Sequence, residues 1–293
     1  MDWSGISPAR PADEAIGVAV EHVRCADGHE LPVVRHSGPG GGPAVVYLHG
    51  IQSHPGWFVG SAQAMARAGC EVFQLTRRGS GMSGGARGHA PSAGVLLDDV
   101  AAGVEYAREQ AAAERVAMVG VSWGGKLAAA YLLDRPAAPV ASLTLVAPGI
   151  APRVDVPAAT KLAIAAAAAF APRKTFEIPL SDPALFTDHP PMLDYLRRDG
   201  LRLHRATARM LLASAVLDRR LARSAAGSLT VPTTLILADR DRIIDNARTE
   251  AAVRRLAAPD ALEVTTLTGC HTLEFEPAPE AYFAALATAA ARQ

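Results

Sequence analysis

After residue 43, short apolar runs alternate with longer amphipathic or alanine-rich ones. "AVVYLHG" (44–50) is a continuous apolar run that predicts a buried strand. "PGWFVGSAQAMARAG" predicts a helix that stops at Gly69, and "EVFQL" (71–75) a second strand. A Gly- and Arg-rich loop follows to about residue 94, then a helix in "LLDDVAAGVEYAREQ". "VAMVG" (116–120), "SLTLVAP" (142–148), "TTLILA" (233–238) and "LEVTTLTG" (262–269) predict further strands. "NARTEAAVRRLAA" predicts a helix between the last two. Short apolar strands alternating with helices predict a parallel sheet covered on both faces. Near the start, "VAVEHVRCADGHELPVVRHSG" predicts an antiparallel hairpin attached to that sheet.

One segment breaks the rhythm. Between Pro148 and Thr230 no strand pattern emerges. Ala-rich and Leu/Arg-rich helical stretches are broken there by prolines at 152, 157, 172, 179, 183, 190 and 191. Roughly 80 residues are too many for a loop inside a compact domain, so a helical insertion is expected. The expected division is a core of residues 1–148 and 231–293 and an inserted unit of 149–230. Within it, "LAIAAAAAFA" (162–171) is apolar but about half a membrane span, and Pro172 closes it.

Composition narrows the function classes. The chain has 293 residues, 49% of them hydrophobic, enough apolar side chains for a sizeable core. Lys+Arg and Asp+Glu balance at 29 each, with no basic stripe, so a nucleic-acid partner is not expected. The N-terminal stretch "MDWSGISPARPADEAIG" lacks a basic segment followed by an apolar one, so no secretory leader is expected. Cys25, Cys70 and Cys270 are few and widely spaced. They predict a reducing, cytoplasmic setting without disulfides or a metal site. No phosphate-cradling glycine loop and no cluster with metal-ligand spacing emerges, so neither cofactor nor metal is expected.

The candidate chemistry starts at Gly120-Val121-Ser122-Trp123-Gly124, which fits G-x-S-x-G between a strand and a helix. Such a turn exposes the serine above the sheet edge, and the next helix points its positive end at it. A serine hydroxyl needs a base, and the base an orienting carboxylate, in the chain order Ser, Asp or Glu, His. Of the three histidines after Ser122, His189 and His204 fall in the insertion; only His271 follows a predicted core strand. The acid is expected after "TTLILA", where Asp239, Asp241 and Asp245 compete. Asp241 is preferred because it lies far enough past the strand to reach over the sheet edge. Asp239 is expected to cap the turn, and Asp245 to cap the following helix. Oxyanion donors are expected from the backbone N–H groups of Trp123 and Ile51. His49 is expected to hold its loop by a hydrogen bond, and Cys270 to be a small buried residue.

Together "YLHGIQSHPGWF", "RRGSGMSGGARGH", "GVSWGGKLA", "LILADRDRIID" and "GCHTLEFEP" resemble the α/β-hydrolase superfamily, within it the monoacylglycerol lipase and lysophospholipase-like serine hydrolases, over roughly residues 20–290. The resemblance implies a mostly parallel eight-stranded sheet flanked by helices, with a helical lid (about 149–230) inserted before the seventh strand. It implies a triad of Ser122, Asp241 and His271, with Ala238 where that group has glycine. It implies that the "RRGSGMS" segment organises its loop rather than doing chemistry. The expected function is hydrolysis of a small-molecule acyl ester, with transient membrane-surface contact through the lid left open. Acyl transfer, or thioester, lactone or carbon–carbon hydrolysis, would use the same machinery. A ligand receptor built on an intact hydrolase scaffold is a third reading. Haloalkane dehalogenase and epoxide hydrolase are disfavoured, because they carry aspartate at the elbow.

Overall fold

The computed structural model describes residues 8–292. The first residues of the stretch read as lacking a secretory leader lie outside them. Strands form where β-branched and large apolar residues run together: β1 Gly17–Arg24, β2 Glu30–Ser37, β3 Ala44–Leu48, β4 Glu71–Leu75, β5 Val116–Val121 and β6 Val140–Val146. Helices α1 Val59–Arg67, α2 Ala93–Gln110 and α3 Trp123–Asp134 connect them. The insertion then supplies α4 Ala158–Phe170, β7 Thr175–Glu177, α5 Pro190–Arg198, β8 Arg205–Thr207 and α6 Ala208–Arg223. The chain ends with β9 Thr233–Ala238, α7 Asn246–Leu256, β10 Leu262–Leu267 and α8 Glu280–Ala290.

Eight strands form one sheet in the order β1-β2-β4-β3-β5-β6-β9-β10. Only β2 runs against the others: it pairs antiparallel with β1 and β4, and the remaining pairs are parallel. Every residue of β3, β5, β6 and β9 is buried, as a sheet covered on both faces requires. Edge strand β10 instead alternates half-buried and exposed positions over its first four residues. From β3 the chain moves first to β4 on one side and then to β5 on the other. That reversal opens a crevice beyond the carboxyl ends of β3 and β5, the place where open α/β sheets bind ligands.

The expected hairpin is β1–β2, and the expected strand and helix positions agree within a few residues. The structure departs from the sequence reading in two places. The insertion is not purely helical: β7 and β8 pair antiparallel through Thr175–Thr207, Phe176–Ala206 and Glu177–Arg205. Three-residue strands are too short to show a period of two. The terminal helix α8, "EAYFAALATAA", was also not anticipated. Its nearly all-apolar sequence has no polar stripe to reveal a helical period.

Candidate active site

Ser122 stands between β5 and α3 with φ 54° and ψ −121°, a conformation L-residues rarely adopt. The glycines around it make that turn possible. A Cβ on Gly124 would lie 2.3 Å from the Leu48 carbonyl oxygen, and one on Gly120 2.7 Å from that of Gly124. With these side chains absent, α3 packs directly on β5 and β3. The serine hydroxyl is left partly accessible beyond the sheet, at the positive end of α3.

The loops after β9 and β10 bring Asp241 and His271 to it. His271 Nδ1 lies 2.7 Å from Asp241 Oδ2, and His271 Nε2 lies 2.9 Å from Ser122 Oγ. An ionised carboxylate can only accept, so Nδ1 carries the proton and Nε2 is free to accept from the serine hydroxyl. Both partners are buried, at 2% exposure for His271 and 4% for Asp241. Burial pushes the Asp241 carboxyl up. The His271 ring, together with N–H bonds from Ile243 at 2.7 Å and Ile244 at 3.0 Å, outweighs burial and holds the group below its ordinary value. Asp241 is therefore ionised at neutral pH.

The competing aspartates go elsewhere. Asp239 accepts from Gly269 N–H at 2.8 Å, and Asp245 accepts from Arg248 N–H as the cap of α7. His189 Nδ1 binds the Phe275 carbonyl at 3.0 Å and His204 lies beside β8, so neither takes His271's place. Cys270 is buried, and its thiol is pushed up to about 11, first by burial and then by Asp188. Cys25, Cys70 and Cys270 are all free and buried.

Ile51 and Trp123 line the same cavity as Ser122, about 450 Å³ in volume. Its apolar walls include Ile164, Ile178, Leu180, Leu211, Ile243 and Ile244, drawn from both the insertion and the sheet loops. Gly50 keeps the loop close: a Cβ there would stand 3.3 Å from Ser122 Cβ. His49 holds the same loop, its Nδ1 donating to Gly50 O at 2.8 Å and its Nε2 accepting from Arg77 N–H at 3.1 Å. A second cavity, about 600 Å³, lies among Gly40, Gly42, Glu71 and Arg115 at the amino ends of the strands, the wrong edge of the sheet for Ser122. Among the described residues no group of His, Cys, Asp and Glu could hold a metal ion, and no helix is long and apolar enough to cross a membrane.

Residues 42–278 match the family described as "Serine aminopeptidase, S33". The chain belongs to this family. It is a serine hydrolase of the α/β-hydrolase type. No curated protein matches the sequence. Among solved structures it resembles the monoacylglycerol lipase of Paleococcus ferrophilus at TM-score 0.75 and 20% identity, covering 88% of this chain and 98% of that one. It also resembles a soluble variant of monoglyceride lipase from Saccharomyces cerevisiae at 0.78 and 16%, covering 96% and 97%. An esterase from Exiguobacterium antarcticum stands at 0.70 and 17%, covering 92% and 98%. At these identities the likeness shows the fold.

Two groups in this hydrolase, Lys126 and Asp199, escaped the sequence reading, and a third, Arg77, was read only as part of a loop-organising segment. Arg77 lies buried with its guanidinium carbon 5.1 Å from the centre of the Trp123 ring, and it donates to the Ile51 carbonyl at 2.8 Å. Burial, with Arg87 adding to it, lowers its pKa to about 10, so it stays charged. Arg78 instead forms a fork with Asp99 at 2.8 and 2.7 Å. Lys126 faces Ser214 and Asp218 across α3 and α6. Its signal is a lone cation inside "GGKLAAAYLL". Asp199, inside the insertion, accepts from Trp57 Nε1 at 2.7 Å and pairs with His54 Nε2 at 3.1 Å. No local pattern announces that contact, because its partners lie more than 140 positions apart.

Proposed function

We propose that this hydrolase cleaves carboxylic esters, such as a monoacylglycerol, a lysophospholipid or a similar acyl ester, through an acyl-enzyme on Ser122. The observation that carries the reading is the continuous chain Ser122 Oγ, His271 Nε2, His271 Nδ1, Asp241 Oδ2, with links of 2.9 and 2.7 Å. His271 takes the serine proton as Oγ attacks the carbonyl, then returns it to the leaving alcohol. Asp241 holds the tautomer and stabilises the imidazolium. The N–H groups of Ile51 and Trp123 receive the negative charge of the tetrahedral intermediate. Arg77 supports them by fixing the Ile51 carbonyl and stacking on Trp123. Water then attacks the acyl-enzyme by the same route.

Residues 149–230 act as the lid over this site, and 1–148 with 231–293 as the core. Two contacts support that division. Phe186 of the insertion lies edge-on to the His271 ring, 6.1 Å between centres, and its carbonyl accepts from Thr272 N–H at 3.0 Å. Leu162 and Phe170 on α4 are 74% and 90% exposed, an apolar rim through which the lid meets a lipid surface transiently. The three free thiols support a reducing, cytoplasmic setting. The reading is tested by hydrolysis of acyl esters of increasing chain length, with Ser122→Ala as the blank. Turnover that survives in the blank overturns it.

A further inference from the structure

One wall of the cavity carries a charge that the proposed ester cleavage does not use. Lys126 lies one helical turn beyond Ser122, and its side chain is 8% exposed. An ammonium in that position loses most of its hydration and persists only where partners offset the loss. Its Nζ donates to Ser214 Oγ at 3.4 Å and pairs with Asp218 Oδ1 at 2.6 Å. Ser214 also accepts from Trp123 Nε1 at 2.9 Å. All four residues line the cavity that holds Ser122.

The charges around Trp123 do not balance. Arg77 and Lys126 are both buried, at 6% exposure each. Arg77 spends its hydrogen bonds on neutral oxygens, the carbonyls of Ile51 and Arg78 and the hydroxyl of Ser80. The carboxylate facing Lys126, that of Asp218, has a side chain 47% exposed. Solvent screens that half-exposed charge far more than the buried cations. The other charged residues along the cavity, Asp155, Lys161, Glu177 and Arg219, are exposed, so the stretch of wall along Trp123 has Lys126 as its buried charge, with the positive end of α3 beside it.

We infer that this stretch is a subsite for an anionic substrate group, in which Lys126 reads a carboxylate carried by the ester. The inference rests on ester cleavage at Ser122 and narrows its substrate class. Lys126 follows Ser122 by one turn, about 6 Å along the axis of α3, so its ammonium and the nucleophile open into the same cavity. The ammonium has three hydrogens; the third, or one released as Asp218 turns to water, donates to the substrate. Lys126 acts here as a specificity residue.

The test compares esters matched in length and differing in charge. One series sets the p-nitrophenyl hemiesters of adipic and pimelic acid against p-nitrophenyl hexanoate and heptanoate. A second sets the butanoyl ester of para-hydroxybenzoate against that of phenol, moving the charge to the alcohol side. In at least one series the anionic ester has a kcat/KM about tenfold above its neutral partner. Lys126→Gln brings that ratio close to one, Lys126→Arg retains part of it, and Asp218→Asn raises it. Should Lys126→Gln fail to fold, Asp218→Asn carries the test: a bridge serving only to join α3 to α6 leaves the ratio unchanged. A ratio at or below one in both series, or one unmoved by these substitutions, overturns the subsite while Ser122-dependent hydrolysis of the neutral esters stands. Loss of Ser122-dependent turnover for every ester overturns the ester-cleavage reading itself.

Discussion

Ser122 is held at φ 54° by its surroundings, and the strain belongs to the site. Replacing it with alanine removes the proposed nucleophile and keeps the strain. Turnover should fall at least about a thousandfold with the fold intact. Ser122→Gly also lacks the nucleophile but relaxes the backbone. It should unfold about 1 kcal/mol harder than Ser122→Ala in urea, the difference that separates strain from chemistry. A second residue-scale device is Glu274, buried at 1% exposure. Burial raises its pKa to about 7 against N–H bonds from Ser61 and the Arg10 charge, which pull it down. A carboxyl that binds its proton more tightly when folded contributes stability below its unfolded value, 4.5, and loses it as pH rises through about 7. Wild-type stability should therefore gain roughly 3 kcal/mol less from rising pH over that window than Glu274→Gln, read from urea unfolding at several pH values. Asp241 runs the other way. Its lowered carboxyl contributes stability present above 3.8 and lost as pH falls through its folded value.

At the scale of elements, glycine decides how closely α3 approaches the sheet. Gly124→Ala forces a methyl toward the Leu48 carbonyl, which is backbone and cannot yield cheaply. A loss of at least about 3 kcal/mol is expected, visible in thermal unfolding, with activity lost alongside. The same glycines explain what the sequence disclosed. "VAMVGVSWGGK" is legible because one strand-to-helix turn imposes local demands on neighbouring positions. Strands such as "TTLILA" are legible because burial on both faces demands apolar residues throughout. The β7–β8 ribbon was not legible, since three-residue strands joined across the insertion leave no local period. The Lys126–Asp218 pair was not either, because α3 and α6 meet only through tertiary packing.

At the scale of the molecule, the insertion is pinned to the core by a few buried polar contacts. Asp199, with a side chain 3% exposed, is held by His54, Trp57 and the Leu201 N–H. Burial raises its pKa, and these partners outweigh it. Arg202 adds a bond to Gln52 of the core at 3.1 Å, and its bond to the Leu180 carbonyl at 2.6 Å, within the insertion, holds it in place. Asp199→Ala leaves the Trp57 N–H and the His54 ring without their acceptor. It should destabilise the protein by about 3 kcal/mol and open residues 149–230 to limited proteolysis before the core is cut. Cleavage appearing first in the core would contradict the lid assignment. The proposed activity turns on one relation, between a strained serine after β5 and the histidine and aspartate delivered by loops after β10 and β9. The most direct measurement is the initial rate on a series of acyl esters from acetyl to palmitoyl, wild type against Ser122→Ala. Turnover with a chain-length optimum that vanishes in the variant is the predicted result. Equal rates in both proteins would contradict it.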